Sequence, residues 1–421
     1  MRACRCLLII LLMLSPLLAG AQTEVKTMPD SRIREAIALM DAFAMRTGLT
    51  GAQPPQRYLW TDAFAVCNYL GLARASGEPR YTRQARQLVE QVHHVLGRHR
   101  DDDSRSGWIS GLSEADGERH PTRGGLRIGK PQPERSPREP YDERGEWDRD
   151  GQYFHYLTQW MHALDQFARS TREPVFNTWA TELSLAAFNA FTYQPALPMG
   201  PRRMAWKMSI DLSRILVPSM GQHDPLEGYV NNLQLQATAT ALRQTAGKSE
   251  LEADTREYAA MLKRAELATA DSLGLGGLLI DAWRLQQLMQ QDAVSATQLL
   301  DRLLQAAALG LGYFARGNEL QQPASYRLAF RELGLAIGLH ALERMHQTAL
   351  RTTGTAAPSR LRALLEELVR YLPLRDEIET FWRNPQHQRT ASWSEHQDIN
   401  TVMLATSLVP DGFLELLPLD D

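Results

Sequence analysis

Cysteine is scarce in this chain, which has three among its 421 residues. Cys4 and Cys6 lie in a short N-terminal leader, so the rest of the chain carries Cys67 alone and has no internal disulfide. Cys67 falls within a helical pattern, where a cysteine is far more often a small buried apolar group than a nucleophile. The stability of the fold is therefore expected to come from packing.

Long apolar runs are also lacking, except at the N-terminus. Residues 7–18 form an apolar run after two arginines, and the small residues Ala19, Gly20 and Ala21 follow it in the pattern of a cleavage site. We predict that residues 1–21 are a signal peptide and that the protein is exported, either to the periplasm or out of the cell. A retained N-terminal anchor is the alternative. No later stretch is long enough to span a bilayer.

Clustered positive charge, metal-ligand motifs and strand patterns are missing as well. The formal net charge is −3, and no basic stripe stands out beyond a solvated loop, which argues against a nucleic-acid partner. No HExxH motif or cluster of cysteine and histidine is present, so we predict neither a metal nor another cofactor. Sustained alternation of apolar and polar residues, which is typical of strands, does not occur.

Apolar residues at a spacing near 3.6 run through most of the chain and predict an all-α protein. The helix at 150–170 is apolar on two faces, whereas the one at 80–98 has a wide polar face, so the even-numbered helices are predicted to be the inner ones. A short additional helix is expected at 204–216. The twelve main helices are expected near 31–47, 61–76, 80–98, 150–170, 174–193, 225–246, 252–268, 271–290, 295–313, 325–347, 359–372 and 394–407.

Two segments of the chain, 73–81 and 168–176, read almost alike. In each, a tight turn ending in Glu-Pro joins two helical patterns. Proline suits the first turn of a helix, where its missing N–H would have no partner, so Pro79 and Pro174 mark the start of a second helix. The recurrence predicts an array of helical hairpins.

The connections between these helices differ in length. Those that follow even-numbered helices are mostly short, and those that lead into them are mostly long. Because successive helices alternate in direction, the long connections gather at one end of the molecule. Long connections on a rigid scaffold are usually functional, so we expect the site at that end. The long connections are 48–60, 99–149, 194–224, 314–324 and 373–393.

The helix count and the paired Glu-Pro turns resemble the six-hairpin, (α/α)6-toroid superfamily, which includes glycoside hydrolases, polysaccharide lyases and sugar epimerases. The resemblance covers residues 22–421 as a single domain of six inner and six outer helices, and it is architectural. It implies a site at the mouth of the toroid, where the inner helices begin. It assigns no reaction, because one fold hosts many chemistries and no subfamily motif is present.

Asp148, Asp150 and Asp224 are the candidate catalytic residues, since they lie where inner helices are expected to begin. A pair of carboxylates flanking a glycosidic bond can act as general acid and base. Capping is the alternative for Asp150 and for Asp224, which is followed by Pro225 and Glu227 in a good helix-start pattern. Asp148 lies outside the predicted helix and is preferred for one of the two catalytic roles.

Aromatic, amide, imidazole and charged side chains at the same end are candidate substrate-binding residues. Structural alternatives stay open, because a histidine is more often a hydrogen-bonded core residue, and Lys207 with Asp211 could form an i, i+4 ion pair. Arginines in the glycine-containing loop before the fourth helix could hold an anionic group. The candidates are Trp147, Gln152, His155, Lys207, Asp211, Gln222, His223, Trp393, Glu395, His396, Arg123 and Arg127.

Three functions are compatible with these observations. The preferred hypothesis is an exported, monomeric glycoside hydrolase that acts on a carbohydrate with a carboxylate pair. The second is a sugar epimerase or isomerase that uses His155, His223 or His396 for proton transfer, which export disfavours. The third is a toroid that binds a glycan or a protein without turning it over.

Overall fold

The computed structural model describes residues 30–195, 202–351 and 359–419, so the proposed signal peptide lies outside the described residues. Helices dominate this part of the chain, and none of them is long and apolar enough to cross a membrane. The helices are α1 (Ser31–Arg46), α2 (Leu59–Ser76), α3 (Pro79–Leu96), α4 (Glu114–Arg119), α5 (Glu143–Asp148), α6 (Phe154–Thr171), α7 (Pro174–Phe191), α8 (Asp224–Ala241), α9 (Lys248–Leu262), α10 (Ser272–Gln290), α11 (Thr297–Phe314), α12 (Ala329–Arg351), α13 (Ser359–Leu368), α14 (Pro373–Arg383), α15 (Ala391–Ser394), α16 (Gln397–Leu408) and α17 (Asp411–Leu414).

Six of these helices form a closed inner ring. Helices α2, α6, α8, α10, α12 and α16 each contact the next, and α16 returns to α2. Outside them pack α1, α3, α7, α9 and α11, with α13 and α14 sharing the sixth outer position. The described residues therefore form the (α/α)6 toroid that the sequence predicts.

Burial separates the two layers as the patterns predict. Helix α2 is buried without interruption from Leu59 to Leu72, whereas α3 buries one face only. The glycines near the start of α10 allow close helix packing, because a Cβ on Gly276 would overlap the carbonyl oxygen of Gly334 on α12. The inner helix α2 is therefore enclosed along most of its length, and α10 and α12 meet in backbone contact.

The two Glu-Pro turns have equivalent geometry. Helices α2 and α6 both end at a residue in the left-handed conformation, Gly77 with φ of 69° and Arg172 with φ of 59°. Pro79 and Pro174 then occupy the first turns of α3 and α7. The predicted helical hairpins are confirmed at both places.

Two local predictions are wrong, and one helix begins a few residues later than its approximate predicted start. The segment 204–216 is not a helix but contributes to a small antiparallel sheet in the order β1-β4-β5. Helix α6 begins at Phe154 and not at 150, because Gly151 takes a φ of 145° and the chain enters strand β1. The segments 99–149 and 373–393, predicted as connections, contain helices: α4 and α5 in the first and α14 in the second. The strands are β1 (Gln152–Tyr153), β2 (Thr192–Tyr193), β3 (Arg203–Met204), β4 (Lys207–Met208) and β5 (Ile215–Val217).

The C-terminal segment closes one end of the ring. The ring of Phe413 stacks on that of Phe64 with 4.2 Å between the centroids. Gln166 Nε2 donates to the carbonyl of Gly412, and Gln287 Nε2 donates to that of Leu414, each at 2.9 Å. These glutamines lie in the C-terminal halves of α6 and α10, so α17 plugs the end opposite the long connections.

We predict that Gly276→Ala lowers the free energy of unfolding by about 1–3 kcal/mol, because the added methyl group forces α10 away from α12. Gly277→Ala is the matched control, since a Cβ there meets no heavy atom within 4 Å. Alanine favours the helix over glycine, so this control should be unchanged or up to about 1 kcal/mol more stable. Urea unfolding followed by circular dichroism compares them, and equal effects would contradict close packing at Gly276.

Candidate functional site

A cavity of about 530 Å³ opens at the end of the ring where the long connections gather. All six inner helices contribute to its wall, mostly through their N-terminal halves. Phe413 of the C-terminal plug lies at its floor. One residue from each inner helix illustrates the arrangement: Trp60, His155, Asp224, Asp281, Phe330 and Ile399.

Glu227 and His155 form a hydrogen-bonded pair in this wall. Nδ1 of His155 lies 2.7 and 2.8 Å from the two carboxylate oxygens of Glu227, and Thr158 Oγ1 donates to Oε2 at 2.8 Å. Burial raises the pKa of Glu227, but the attraction and hydrogen bonds of His155 and Thr158 outweigh it, so the pKa is lowered overall. Glu227 is therefore an ionised carboxylate in the cavity wall.

His155 is held from two sides. Burial is the largest single effect and lowers its pKa, but the charge and hydrogen bond of Glu227, together with the charges of Asp224 and Asp281, outweigh it, so the pKa is raised overall. The indole N–H of Trp60 lies 3.0 Å from Nε2, so whenever the ring is neutral its proton is on Nδ1, towards Glu227. Glu227 and Trp60 thus fix both the orientation and the tautomer of the imidazole.

Asp224 lies one helical turn before Glu227 on α8 and has the opposite character. Its Oδ2 accepts a hydrogen bond from the backbone N–H of Gly221 at 2.8 Å. Burial and repulsion by Glu227 raise the pKa of Asp224 to about 7, although His155 and Gly221 partly offset this. Asp224 is therefore protonated over much of the neutral range, beside an ionised neighbour.

Asp281 and Arg284 form a third charged group on α10. Arg284 is buried and donates from Nη1 to Asp281 Oδ1 at 3.2 Å, from Nη2 to Asn231 at 3.0 Å and from Nε to Gln234 at 3.0 Å. Burial raises the pKa of Asp281 to about 7 against the attraction of Arg284. This pair forms a polar part of the cavity wall.

Six of the residues selected from the sequence line the cavity. Gln222 and His223 each already have a hydrogen bond to the backbone. Their Nε2 atoms donate to the carbonyls of Ala268 at 2.7 Å and Leu267 at 2.9 Å, respectively. The imidazole of His396 packs edge-on against Phe330. The six are Trp147, His155, Gln222, His223, Asp224 and His396.

Asp148 and Asp150 are not part of the cavity wall. Asp148 is exposed at the end of α5. Asp150 is fully buried behind the wall, where Arg127 Nη1 lies 2.9 Å and Arg100 Nη1 3.3 Å from its Oδ2, and the N–H of Gly129 donates to Oδ1 at 3.0 Å. Asp150 does not cap a helix either, so its carboxylate anchors the long 99–149 connection.

Seven other selected residues also lie outside the wall, most of them held in structural contacts. Gln152 is bonded to backbone groups of the 124–126 segment and of Ile210, and Lys207 Nζ donates to carbonyls of α5 and its C-cap rather than to Asp211. Asp211 pairs with Arg105, and Arg127 with Asp150. Three more are placed elsewhere: Arg123 pairs with Glu182, Trp393 is buried and Glu395 is exposed.

Glu227, Asp281 and Arg284 line the cavity but are not among the candidates that the sequence suggests. Glu227 was explained as the third residue of a capped helix start, but its side chain crosses to His155 on α6. Its position one turn after Asp224 on an inner helix was the available signal. Asp281 and Arg284 lie in the middle of α10, where the sequence contains no cue that they face a cavity.

The part of the chain that the structure describes contains no group of three or more histidine, cysteine, aspartate or glutamate side chains placed to hold a metal ion. The charged groups of the cavity instead bind one another, as the Glu227–His155 and Asp281–Arg284 pairs illustrate.

Solved structures share this fold at low sequence identity. A GH76 alpha-mannanase of Bacteroides thetaiotaomicron is 8% identical with a TM-score of 0.53, covering 91% of this chain and 96% of its own. An inactive variant of the GH76 alpha-1,6-mannanase of Salegentibacter sp. HEL1_6, in complex with alpha-1,6-mannotriose, is 12% identical with a TM-score of 0.50, covering 90% and 99%. The cellobiose 2-epimerase of Spirochaeta thermophila is 11% identical with a TM-score of 0.46. Neither a protein-family model nor a curated protein matches the sequence.

The two mannanase structures establish the (α/α)6-toroid fold of this chain. The inactive variant carries asparagine in place of two consecutive aspartates. Before its last two residues, this chain has consecutive aspartates only at 101–103. Asp102 and Asp103 are ion-paired with Arg100 and Arg105 in a turn outside the cavity wall.

We predict that Asp224→Asn makes the protein more stable at pH 8 but not at pH 4. The folded-state pKa of about 7 exceeds the usual aspartate value near 4, so the folded protein binds more protons than the unfolded chain between these pH values. Stability from this group is therefore present below pH ~4 and is lost as pH rises to ~7. The variant should gain about 2–4 kcal/mol at pH 8 in urea unfolding.

Asp148→Asn is the control for this measurement, because Asp148 is exposed on the same side of the molecule. Exposed substitutions usually change stability by less than about 0.5 kcal/mol. If Asp224→Asn raised the free energy of unfolding equally at both pH values, ionisation of the Asp224 carboxyl group would not be what destabilises the folded protein.

Proposed function

We propose that this protein is a glycoside hydrolase whose active site is the cavity at the toroid mouth. The observation that carries the proposal is that two carboxyl groups in one wall have pKa values shifted in opposite directions. The pKa of Asp224 is raised, and that of Glu227 is lowered. Environments that shift the pKa values of two neighbouring groups in opposite directions are typical of a catalytic acid and base pair. The fold shared with GH76 mannanases supports the choice of substrate class.

In the proposed reaction, the protonated carboxyl group of Asp224 donates its proton to the glycosidic oxygen as the bond to the anomeric carbon breaks. A water molecule attacks that carbon, and ionised Glu227 takes up a proton from the water. His155 and Thr158 hold Glu227 in position for this step. The products are a sugar with a free anomeric hydroxyl group and an alcohol-bearing leaving group.

The remaining wall fits a neutral carbohydrate. Tyr58 and Tyr156 are joined through their hydroxyl groups at 2.7 Å and, with Trp60, form an aromatic side to the cavity. Asp281, held by Arg284, offers carboxylate oxygens to sugar hydroxyls on another side. An α-mannoside is the first substrate to test, given the mannotriose bound by one structural relative.

We expect Asp224→Asn and Glu227→Gln each to lower kcat/KM by about 100-fold or more, the usual contribution of a general acid or base. Asp148→Asn should retain activity within about twofold, since its side chain is outside the cavity wall. The assay is release of reducing sugar from a panel of neutral glycans, beginning with α-1,6-linked mannose oligosaccharides. Activity lost in Asp148→Asn and kept in Asp224→Asn would return the acid role to Asp148.

The same assay should depend on pH in a direction set by Asp224. The acid must be protonated, so kcat/KM of the unmodified protein should fall as pH rises above about 7. On the acidic side, activity should fall where Glu227 becomes protonated. An unchanged alkaline limb in Asp224→Asn would exclude Asp224 as the group that titrates.

A sugar epimerase is the second candidate, because three imidazoles, those of His155, His223 and His396, line the cavity. The hydrolase is preferred since Nε2 of His155 and of His223 are already occupied by Trp60 and Leu267. Deuterium incorporation next to the anomeric carbon, in D₂O and without hydrolysis, would favour the epimerase. Binding of a glycan with neither reaction would favour a non-catalytic toroid.

We further propose that the protein is exported after removal of residues 1–21. Expression of the full chain in a Gram-negative host should yield a periplasmic protein whose first residue is Gln22, measured by mass spectrometry of the intact protein. A membrane-bound product that retains residues 7–18 would instead indicate the N-terminal anchor.

A further inference from the structure

A second, smaller cleft lies beside the proposed active site. Its volume is about 290 Å³, and it is formed by α5 and by the segment between β5 and α8. Three of its large apolar side chains are unusually exposed: Trp147 is 51%, Tyr141 53% and Met220 36% exposed. Large apolar side chains gathered in one exposed cleft are typical of a binding site. We call it the outer cleft, and its wall includes Tyr141, Trp147, Trp206, Val217, Met220 and Gly221.

The outer cleft is continuous with the active-site cavity. Trp147 and Trp206 line both, and their rings meet edge-on with 4.6 Å between centroids. Trp206 stacks on Tyr153 at 4.8 Å, and Tyr153 contacts Tyr156 at 5.2 Å. Tyr156 in turn meets Tyr58 at 5.6 Å inside the cavity. Aromatic rings therefore run without a break from the outer cleft to the reacting centre.

Asp224 lies at the border of the two spaces. The backbone N–H of Gly221, a residue of the outer-cleft wall, donates to Asp224 Oδ2 at 2.8 Å. Asp224, which lines the cavity, is thus bonded to a residue of the outer-cleft wall.

Trp147 is held firmly although its side chain is exposed. Lys207 Nζ donates to the carbonyls of Glu146 at 2.6 Å and Arg149 at 2.9 Å, on either side of Trp147. Glu146 is also ion-paired with Arg135. An aromatic platform with its backbone fixed in this way loses little conformational freedom on binding.

The charges of the outer cleft favour an uncharged ligand. Glu146 is buried and neutralised by Arg135 and Lys207, which leaves the exposed Glu143 as the other ionisable acid of the wall. The cleft wall contains no arginine, lysine or histidine among the residues that the structure describes. The cations beside the cleft, Arg135 over the ring of Tyr141 and Lys207, are both paired with Glu146. A carboxylated or sulfated sugar would therefore find no unpaired cation there, whereas a neutral sugar could place its C–H face on the negatively polarised ring faces.

We propose that the outer cleft is a subsite for a second neutral sugar unit of the glycan that is cleaved beside Asp224. This inference rests on the proposed function and extends it, since it makes the protein an enzyme of glycan chains rather than of single glycosides. Trp147 and Tyr141 are the residues expected to carry the preference for longer chains.

The test compares α-1,6-linked mannose oligosaccharides of two and four residues, and then the matched pair of any other glycan in the panel that is turned over. The wild type should prefer the longer chain in kcat/KM. Trp147→Ala and Tyr141→Ala should each reduce the ratio of long to short by about threefold to tenfold, the size of one aromatic contact. Trp147→Phe should restore part of the ratio. Tyr313→Ala, which removes an aromatic ring 57% exposed on the outer helix α11, is the control and should leave the ratio unchanged.

The outcomes separate the subsite from the reaction. If hydrolysis occurs but the ratio is the same in Trp147→Ala, Tyr141→Ala and wild type, the subsite is overturned and the hydrolase stands. If no glycan is hydrolysed, calorimetric titration with the same oligosaccharide pairs decides. Tighter binding of the longer chain that is lost in Trp147→Ala supports the subsite without the reaction, and no binding of either length overturns both.

Discussion

The buried guanidinium of Arg284 is the constraint on which the centre of this toroid depends. A buried charge without partners costs several kcal/mol, so each of its donors must be satisfied. Asp281 on its own helix and Asn231 and Gln234 on α8 accept these hydrogen bonds. Gln234 passes the network to Asp165 on α6 at 2.6 Å. Three inner helices are thereby fixed in rotation and height relative to one another.

This fixed alignment of the inner helices sets the protonation of the carboxyl groups in the cavity. With α6 and α8 fixed, Glu227 meets two donors, His155 and Thr158, and stays ionised. Asp224 is one turn away, has a single backbone donor and faces the charge of Glu227, so it holds its proton. Two carboxyl groups in the same helical turn therefore differ in protonation because their neighbours across the helix interface differ.

The two ends of the ring divide the work between stability and access. At the end with the short connections, α17 fills the ring, and its backbone carbonyls accept hydrogen bonds from Gln166 and Gln287. At the other end, the charged groups of Asp150 and Lys207 bind residues of the long connections and hold them in place. These connections position Trp147 and Trp206, which extend the cavity towards the outer cleft. Charged residues near a site can thus serve it by supporting the loops that shape it.

The sequence by itself determined the layers of the fold and the end at which the cavity opens. Periodicity and the turns at Pro79 and Pro174 act over neighbouring residues, so the helices and their order could be read directly. Helix α14 and the strands within 204–216 escaped this reading. For strands of two or three residues the reason is physical, because their hydrogen-bond partners are remote in sequence and no pattern of period two can develop.

The choice of side chains in the site was made by tertiary structure. Asp150 and Glu227 both looked like helix-start residues, yet one is neutralised by Arg100 and Arg127 and the other bonds to a histidine 72 positions away. Local sequence contains the identity of a carboxylate but not the partners that fold against it. Since those partners set burial, orientation and pKa, only the assembled ring could distinguish the carboxylates that brace the loops from those that face the cavity.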